Sequence, residues 1–191
     1  SMYNFYQRIS ELPGVYIAQG KFLNQEYLDA VYGTYQHVPK KPFWYLKFSY
    51  NYLQDLGIPL SDEELLEMRN GTRLYLLPNT LNTEELEVMK AYLQESVTVK
   101  PGDLQTNFTE NQKFMFKVYQ PSRPIFTWSD SISYGTTSEN PVIFISTPEN
   151  LYFMESANLV VSGYNGLLKI RDRETMEQVV SVLETEFPDL T

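Results

Sequence analysis

The sequence predicts an α+β protein with a mainly antiparallel sheet and flanking helices, formed as a single domain over residues 2–191. Two observations carry this prediction. Capping signals followed by apolar residues at helical spacing recur along the chain, whereas residues 114–118 alternate with the period of two typical of a half-buried strand. From residue 142 onward the predicted order is strand, helix, strand, strand, helix, a mixture typical of α+β domains. Ser1, in front of Met2, is interpreted as the remnant of a cleaved tag.

The first third of the chain, residues 2–60, is rich in aromatic residues and is predicted to be mostly helical. It holds 14 of the 28 aromatic residues and has a net charge of +1. Within it, residues 24–36 have apolar residues at the spacing of one helix face. Residues 43–53 are ambiguous, because aromatic residues at every second position favour a strand while another apolar set has helical spacing. We interpret this segment as a helix that ends at Gly57.

Two capping boxes predict helix starts in the middle of the chain. Ser61 and Asn82 are each followed three residues later by a glutamate, Glu64 and Glu85 respectively, which can return a hydrogen bond to the capping residue. The first helix is expected to end at the Asn-Gly pair at 70–71, before a strand at 73–77, and the second to end near residue 96.

The part from 97 to 171 is predicted to be rich in sheet. Besides the strand at 114–118, residues 125–134 and 142–146 are expected to form a hairpin. Thr147 is expected to cap a helix, and an Asn-Gly turn predicts a second hairpin around 163–166. Residues 173–187 close the chain as an amphipathic helix whose predicted apolar face consists of Met176, Val179, Val180 and Leu183.

Charge and composition exclude several classes of function. The net charge of −9 argues against a dedicated nucleic-acid binder, since neutralising phosphates requires concentrated basic charge. The chain has no cysteine, hence no disulfide framework, thiol nucleophile or thiolate metal site, and only one histidine, His37. No apolar run approaches a membrane span and no signal-peptide core stands at the start, so we expect a soluble, cytoplasmic protein without a membrane partner.

Motifs for cofactors and nucleophilic catalysis are also missing from the sequence. It has no phosphate-binding glycine loop, dinucleotide fingerprint, serine elbow or paired-histidine zinc helix, so no cofactor and no metal site are predicted. His37 stands at the end of a predicted helix, where its charge would complement the helix dipole. The glutamates at 63, 64 and 67 and at 84, 85 and 87 lie in the first turns of predicted helices, where the dipole favours negative charge.

The first candidate binding site lies in an aromatic and basic stretch of the N-terminal third. Trp and Tyr are enriched at the cores of protein interfaces, and basic side chains here flank them. If the rings bind a partner, at least one of Trp44 and Tyr45 should be exposed near a lysine. The alternative is that the rings belong to the core. The candidate partner-binding residues are Lys40, Lys41, Trp44, Tyr45 and Lys47.

The second candidate site combines aromatic rings with a loop rich in hydroxyl groups. Such loops suit small polar ligands, because hydroxyls fix their orientation while rings supply contact area. The alternative is an exposed hairpin tip. The candidate ligand-binding residues are Arg123, Trp128, Asp130 and Tyr134.

Three functions are compatible with these features. The leading hypothesis is a non-enzymatic protein that binds a protein partner as an inhibitor, immunity or regulatory protein, a profile that a small accessory protein of a phage or other mobile element fits. The alternative is a domain that binds a nucleotide or another small polar ligand through Arg123 with Trp128 or Tyr134. The third is a hydrolase that acts through carboxylates and a divalent metal.

Overall fold

The computed structural model describes residues 2–97, 112–129, 131–151 and 168–190. Its helices are α1 Met2–Ile9, α2 Gln25–Val31, α3 Tyr50–Asp55, α4 Asp62–Arg69, α5 Thr83–Glu95 and α6 Arg173–Glu186. Its strands are β1 Val15–Leu23, β2 Phe43–Ser49, β3 Arg73–Pro78, β4 Phe114–Tyr119, β5 Ile125–Phe126, β6 Thr137–Ser138, β7 Val142–Ser146 and β8 Leu168–Ile170. Short 3₁₀ turns occupy Ile132–Tyr134 and Pro188–Leu190. Within these residues, no helix is both long and apolar enough to cross a membrane.

Six strands form one mixed sheet in the order β4-β3-β7-β2-β1-β8, and β5 pairs with β6 separately. The pairs β1–β2, β1–β8 and β3–β7 are antiparallel, whereas β2–β7 and β3–β4 are parallel. The α+β class is therefore confirmed, but the description of the sheet as mainly antiparallel was only partly right. Both parallel pairs join strands that are far apart in sequence, as parallel pairing requires.

Helices and loops cover both faces of this sheet. On the first face, the core includes Tyr6 and Ile9 of α1, Met89 and Leu93 of α5, and Val179 of α6. On the second face, Leu53 of α3 and Met68 of α4 pack against alternate residues of the same strands. Successive strand residues thus enter different cores, for example Leu76 in the second and Leu77 in the first.

The interpretation of residues 43–53 as a helix was wrong for most of the segment. Residues 43–49 form β2, and only from Tyr50 does the chain continue as the short helix α3. Because β2 lies between β7 and β1 inside the sheet, its aromatic residues are needed on both faces and the period of two prevails. With β1 and β2 both in residues 2–60, the prediction of a mostly helical N-terminal third was wrong too.

The two predicted capping boxes, which depend only on residues close in sequence, are confirmed. Both capping boxes form, with Ser61 accepting from the Glu64 N–H and Asn82 from the Glu85 N–H. The first of these helices ends at Arg69 with Asn70 as its C-cap, and Gly71 then takes a positive φ of 94°, a conformation that glycine adopts readily. The strand predicted at 73–77 is β3, and the one predicted at 114–118 is β4.

Two other local predictions need correction. The helix predicted over 24–36 ends at Val31, so His37 lies beyond it and not at a helix end. The hairpin predicted between 125–134 and 142–146 does not form, since 142–146 is β7, which pairs with β2 and β3, while β5 pairs with β6. In both places the structure is determined by strand pairing and packing with residues remote in sequence, and not by the local sequence pattern.

The closing helix is present, but its buried face is shifted from the predicted one. Val179 is buried, whereas Met176 and Val180 are 46% and 41% exposed. Thr175 occupies the buried position one turn before Val179. At Thr147, residues 148–150 form a turn, and the rest of the predicted helix and the hairpin around 163–166 lie outside the described residues.

A close backbone contact holds the segment with β5 and β6 against the second face. A Cβ atom placed on Gly20 of β1 would lie 1.7 Å from the carbonyl oxygen of Thr127. Thr127 is fully buried, and its N–H and hydroxyl both donate to the Thr136 carbonyl. Only glycine at position 20 permits this approach, which fixes where the 125–138 segment crosses the sheet.

Candidate functional site

The topology brings several strand ends together at one edge of the sheet. The carboxyl end of β3 lies beside the amino end of β7, because these strands are antiparallel, and β2 begins there too, because it is parallel to β7. The carboxyl end of β1 pairs with the first residues of β2. At this edge lies a cleft of about 770 Å³, within the range typical of ligand pockets.

The walls of the cleft come from the strand ends, the first turns of α5 and two loops. One loop, residues 38–42, precedes β2, and the other, residues 139–140, joins β6, which also lines the cleft, to β7. The Tyr119 hydroxyl donates to the Pro141 carbonyl over 2.6 Å, which anchors the second loop at the sheet. The apolar lining residues are Phe22, Val38, Pro39, Pro42, Phe43, Trp44, Pro78, Leu81, Val88, Met89 and Val142.

Trp44 is the buried aromatic residue of this cleft. It is 7% exposed, and its ring lies 5.2 Å from that of Phe22, its cross-strand partner in β1. Phe22 in turn contacts the ring of Tyr134 at 4.5 Å, and the Tyr134 hydroxyl accepts a hydrogen bond from Asn24. No residue in the described ranges accepts a hydrogen bond from the Trp44 indole N–H. Among the described residues the fully buried side-chain polar atom without a partner is Thr147 Oγ1 and not Trp44 Nε1, so the Trp44 N–H is open to solvent and available as a donor.

Glu85, on the first turn of α5, is held in place from two sides. Its Oε1 accepts from the Asn82 backbone N–H at 3.1 Å, which completes the capping box. Its Oε2 lies 3.2 Å from Lys41 Nζ. The Asn82 N–H first, and then Lys41, keep the pKa of the Glu85 carboxyl below its ordinary value. An ionised carboxylate is therefore fixed at the cleft, with Lys41 as the partner of its second oxygen.

A second carboxylate of α5, that of Glu95, binds the start of the chain segment that leads to Lys41. The Gln36 N–H donates to Glu95 Oε2 at 2.7 Å, and His37 Nδ1 donates to Oε1 at 2.5 Å. Glu95 and Glu85 are ten residues apart, about 15 Å along the helix. The four steps from His37 to Lys41 can span about that distance only when extended. We call residues 36–41 the strap.

The remaining charged groups of the cleft are exposed at its rim. They are Lys40 on the strap, Glu84 on α5 and Glu139 in the loop before β7. None of the three forms an ion pair with another residue in the described part of the chain. With Lys41 and Glu85 neutralising each other, the rim has one positive and two negative charges left.

The first predicted site is divided by the pleat of β2. Lys40, Lys41 and Trp44 line the cleft, on the strap and the strand end. Tyr45 points to the opposite face, where it is half-buried against the first core, and Lys47 Nζ lies 5.9 Å from the Phe144 ring centre on that face. Neither ring meets the condition of full exposure that was set for a binding surface, since Trp44 is buried and Tyr45 half-buried.

The two rings of the second predicted site have different neighbours among the described residues. Trp128 contacts Tyr52, Phe126 and Lys169, whereas Tyr134 contacts Phe22 and Asn24 beside the cleft. Arg123 is exposed before β5, and Asp130 lies outside the described residues.

Sequence reasoning did not identify the α5 wall or Phe22 as parts of a site. The Asn82 and Glu85 pair was recognised only as a helix cap, and no local pattern indicates that Val88 and Met89 face the strap. The feature of the sequence that did indicate the site is a basic loop between two prolines, which lies directly before Trp44. What brings α5 to this loop is the strand order, which depends on contacts remote in sequence.

Two glutamates of α4 that the sequence singled out have structural partners. Glu64 completes its capping box and accepts from Lys117, while Glu67 accepts from the Thr72 hydroxyl. Burial raises the pKa of Glu64, but the Ser61 N–H and Lys117 outweigh it and the net shift is downward. Among the described residues, no group of three or more His, Asp or Glu side chains is placed to hold a metal ion.

No protein-family model matches the chain, and neither a curated protein nor a solved structure does. The functional assignment therefore rests on the cleft itself.

Proposed function

We propose that this protein is a non-enzymatic binding protein whose cleft receives an extended segment of a partner protein. The observation that carries the proposal is the combination of an unused donor, the indole N–H of Trp44, with a fixed acceptor, the carboxylate of Glu85, in one largely apolar cleft. A ligand that fits must combine apolar groups with both a hydrogen-bond acceptor and a donor.

An extended polypeptide segment has this combination in every residue. Its carbonyl groups are acceptors for Trp44, and its side chains can occupy the apolar space between Val88, Met89 and Val142. The volume of about 770 Å³ suits a short segment and not a whole protein surface. Buried aromatic residues surrounded by a polar rim are also the usual arrangement of interface hot spots.

A binding role agrees with the fixed geometry of the charged groups. Glu85 is held by its helix cap and by Lys41, and Glu95 by the strap, so both carboxylates already have structural roles. Binding of this kind would let the protein act as an inhibitor, an immunity protein or a regulator of whatever protein carries the bound segment.

The proposal is tested with a displayed library of random seven-residue peptides and a variant that fills the cleft. Val88 lines the cleft on α5, so Val88→Trp places a large ring in the binding space. The matched control is Glu87→Trp, one residue earlier on the same helix, where the side chain is 67% exposed and outside the cleft.

We expect peptides selected on the wild-type protein to bind Glu87→Trp with unchanged affinity and Val88→Trp at least tenfold more weakly, at equal thermal stability. If no peptide is enriched, or if both variants bind as the wild type does, the proposal is wrong. If nucleotides or sugars raise the melting temperature of the protein in a parallel thermal-shift screen, the alternative of a small polar ligand is favoured.

A further inference from the structure

We infer that the bound segment carries a basic side chain, which replaces Lys41 as the partner of Glu85. This inference rests on the proposed function and specifies the chemistry of the partner. It starts from the difference between the two members of the Lys41–Glu85 pair, which meet at the mouth of the cleft at 3.2 Å.

The two members of this pair are held very differently. The Glu85 side chain is 29% exposed and its other oxygen is anchored by the Asn82 N–H, so its position is set by α5. The Lys41 side chain is 82% exposed, and its only ion pair in the described part of the chain is with Glu85. An exposed pair of this kind contributes little to stability, because the mobile lysine loses entropy when it is held.

An incoming cation therefore meets a fixed carboxylate whose present partner leaves easily. A guanidinium group could form two parallel hydrogen bonds with a carboxylate, a geometry that lysine cannot provide. When Lys41 withdraws, the Glu85 charge is not left unpaired, so the exchange carries no penalty for an isolated ion near the apolar wall.

The charges around the exchange point favour the same chemistry. With Lys41 displaced to solvent, Glu84, Glu85 and Glu139 remain on the rim against Lys40. The net charge of −9 on the whole chain adds a long-range attraction for cationic partners. The apolar wall of Val88, Met89 and Leu81 would meanwhile contact the stem of the basic residue or its neighbours.

The inference is tested with three capped peptides that differ only in the central side chain. They are acetyl-Leu-Arg-Leu-amide, the same peptide with citrulline, which is the neutral isostere of arginine, and the same peptide with glutamate. Binding is measured from the indole N–H resonance of Trp44, assigned by its persistence in Trp128→Phe. We expect the arginine peptide to bind about two- to fivefold more tightly than the citrulline peptide, and the glutamate peptide most weakly.

Two variants isolate the carboxylate and its competitor. Glu85→Gln removes the charge but keeps a side chain that can complete the capping box, so the helix start is preserved while the preference for arginine over citrulline disappears. Lys41→Gln removes the competing cation and should strengthen binding of the arginine peptide about twofold. Glu87→Gln removes a carboxylate of α5 outside the cleft and should leave the preference unchanged.

The outcomes separate this inference from the proposed function. Equal binding of the arginine and citrulline peptides, or a preference that survives in Glu85→Gln, would overturn the inference while leaving the cleft as a peptide site. Failure of all three peptides to shift the Trp44 resonance, with the fold intact, would count against the proposed function itself.

Discussion

The two tryptophan residues of this protein occupy opposite kinds of surroundings. Trp44 lies in a regular strand, is 7% exposed, and lines a cleft with an indole N–H that has no acceptor in the described ranges. Trp128 lies in a loop at a positive φ of 54°, donates its indole N–H to the Tyr52 hydroxyl at 3.0 Å, and has Lys169 over its ring.

The difference shows how to separate a binding residue from a structural one. The indole N–H and ring of Trp128 already contact Tyr52 of α3, and Lys169 of β8 lies over the ring. Trp128 therefore holds its loop against α3 and β8. The neighbours of Trp44 leave both a space and a donor unused. A bulky residue at positive φ is strained, and such strain persists where several contacts hold the residue in place. At Trp128 these contacts are visible, so its strain does not by itself indicate a ligand site.

Removing each indole ring in turn should distinguish the two tryptophans, and removing that of Trp44 should lower the free energy of unfolding more than any other change considered. We expect Trp44→Ala to lower the free energy of unfolding by about 3–5 kcal/mol, because it leaves a cavity beside Phe22 in a packed layer. Trp128→Ala should lower it by about 1–2 kcal/mol, since its ring is half-buried. Urea unfolding of both variants measures this. Equal losses would mean that the two sites are not structurally distinct.

A backbone contact beneath the Trp128 region gives the next largest effect. Gly20→Ala puts a Cβ atom against the Thr127 carbonyl, a backbone group that cannot move without the 125–138 segment. We expect a loss of about 3 kcal/mol and a red shift of Trp128 emission.

The control for Gly20 is Gly57→Ala. Gly57, unlike Gly20, has a positive φ, of 73°, and nothing lies within 4 Å of an added Cβ, so only backbone strain of about 1–2 kcal/mol applies. A Gly20→Ala variant as stable as Gly57→Ala would contradict the close approach between β1 and Thr127.

Removing the caps of α4 and α5 should lower the free energy of unfolding by smaller and similar amounts. Ser61→Ala and Asn82→Ala should each lower the free energy of unfolding by about 1 kcal/mol, because each removes the acceptor for a helix N–H. Only Asn82→Ala should also weaken binding of the arginine peptide, since the first turn of α5 carries Glu85. Equal peptide binding by both variants would separate the cap from the site.

The smallest expected effect is the pH dependence at the strap. The hydrogen bond from His37, followed by the backbone N–H groups of Gln36 and His37, lowers the pKa of Glu95. A carboxyl whose pKa is depressed in the folded state contributes stability above its unfolded pKa of about 4.3, and this contribution is lost as the pH falls through the folded value.

Thermal unfolding midpoints between pH 6 and pH 3 test this sign. The wild-type midpoint should fall more over this range than that of Glu95→Gln, by an amount reduced at high salt because the groups are near the surface. Glu87→Gln is the matched control on the same helix. A Glu95→Gln midpoint that falls as much as the wild-type midpoint would contradict the role of Glu95.

What the sequence could predict depends on whether the deciding contact is local. Both capping boxes lie within four residues of chain, so Ser61 and Asn82 were identified correctly from residue type and spacing. Strand β2 could not be assigned with the same security, because its burial on two faces depends on β7, almost a hundred residues later. The mixed sheet was missed for the same reason.

The candidate site was predictable in one wall and not in the other. Lys40, Lys41 and Trp44 are neighbours in sequence, and their composition indicated a contact surface. The assignment of Tyr45 and Lys47 to the same surface as Trp44 failed because successive residues of a strand point to different faces. Glu85 entered the site through its long-range pairing with Lys41, for which no sequence pattern exists.

The most direct test of the account follows both indole N–H resonances in one proton–nitrogen correlation spectrum while acetyl-Leu-Arg-Leu-amide is added. Trp44 and Trp128 are the only tryptophans, so each acts as the internal control for the other. We expect the Trp44 resonance to shift in a saturable way and the Trp128 resonance to stay in place. A saturable shift of Trp128 with Trp44 unmoved would place the site elsewhere and contradict the assignment of the cleft.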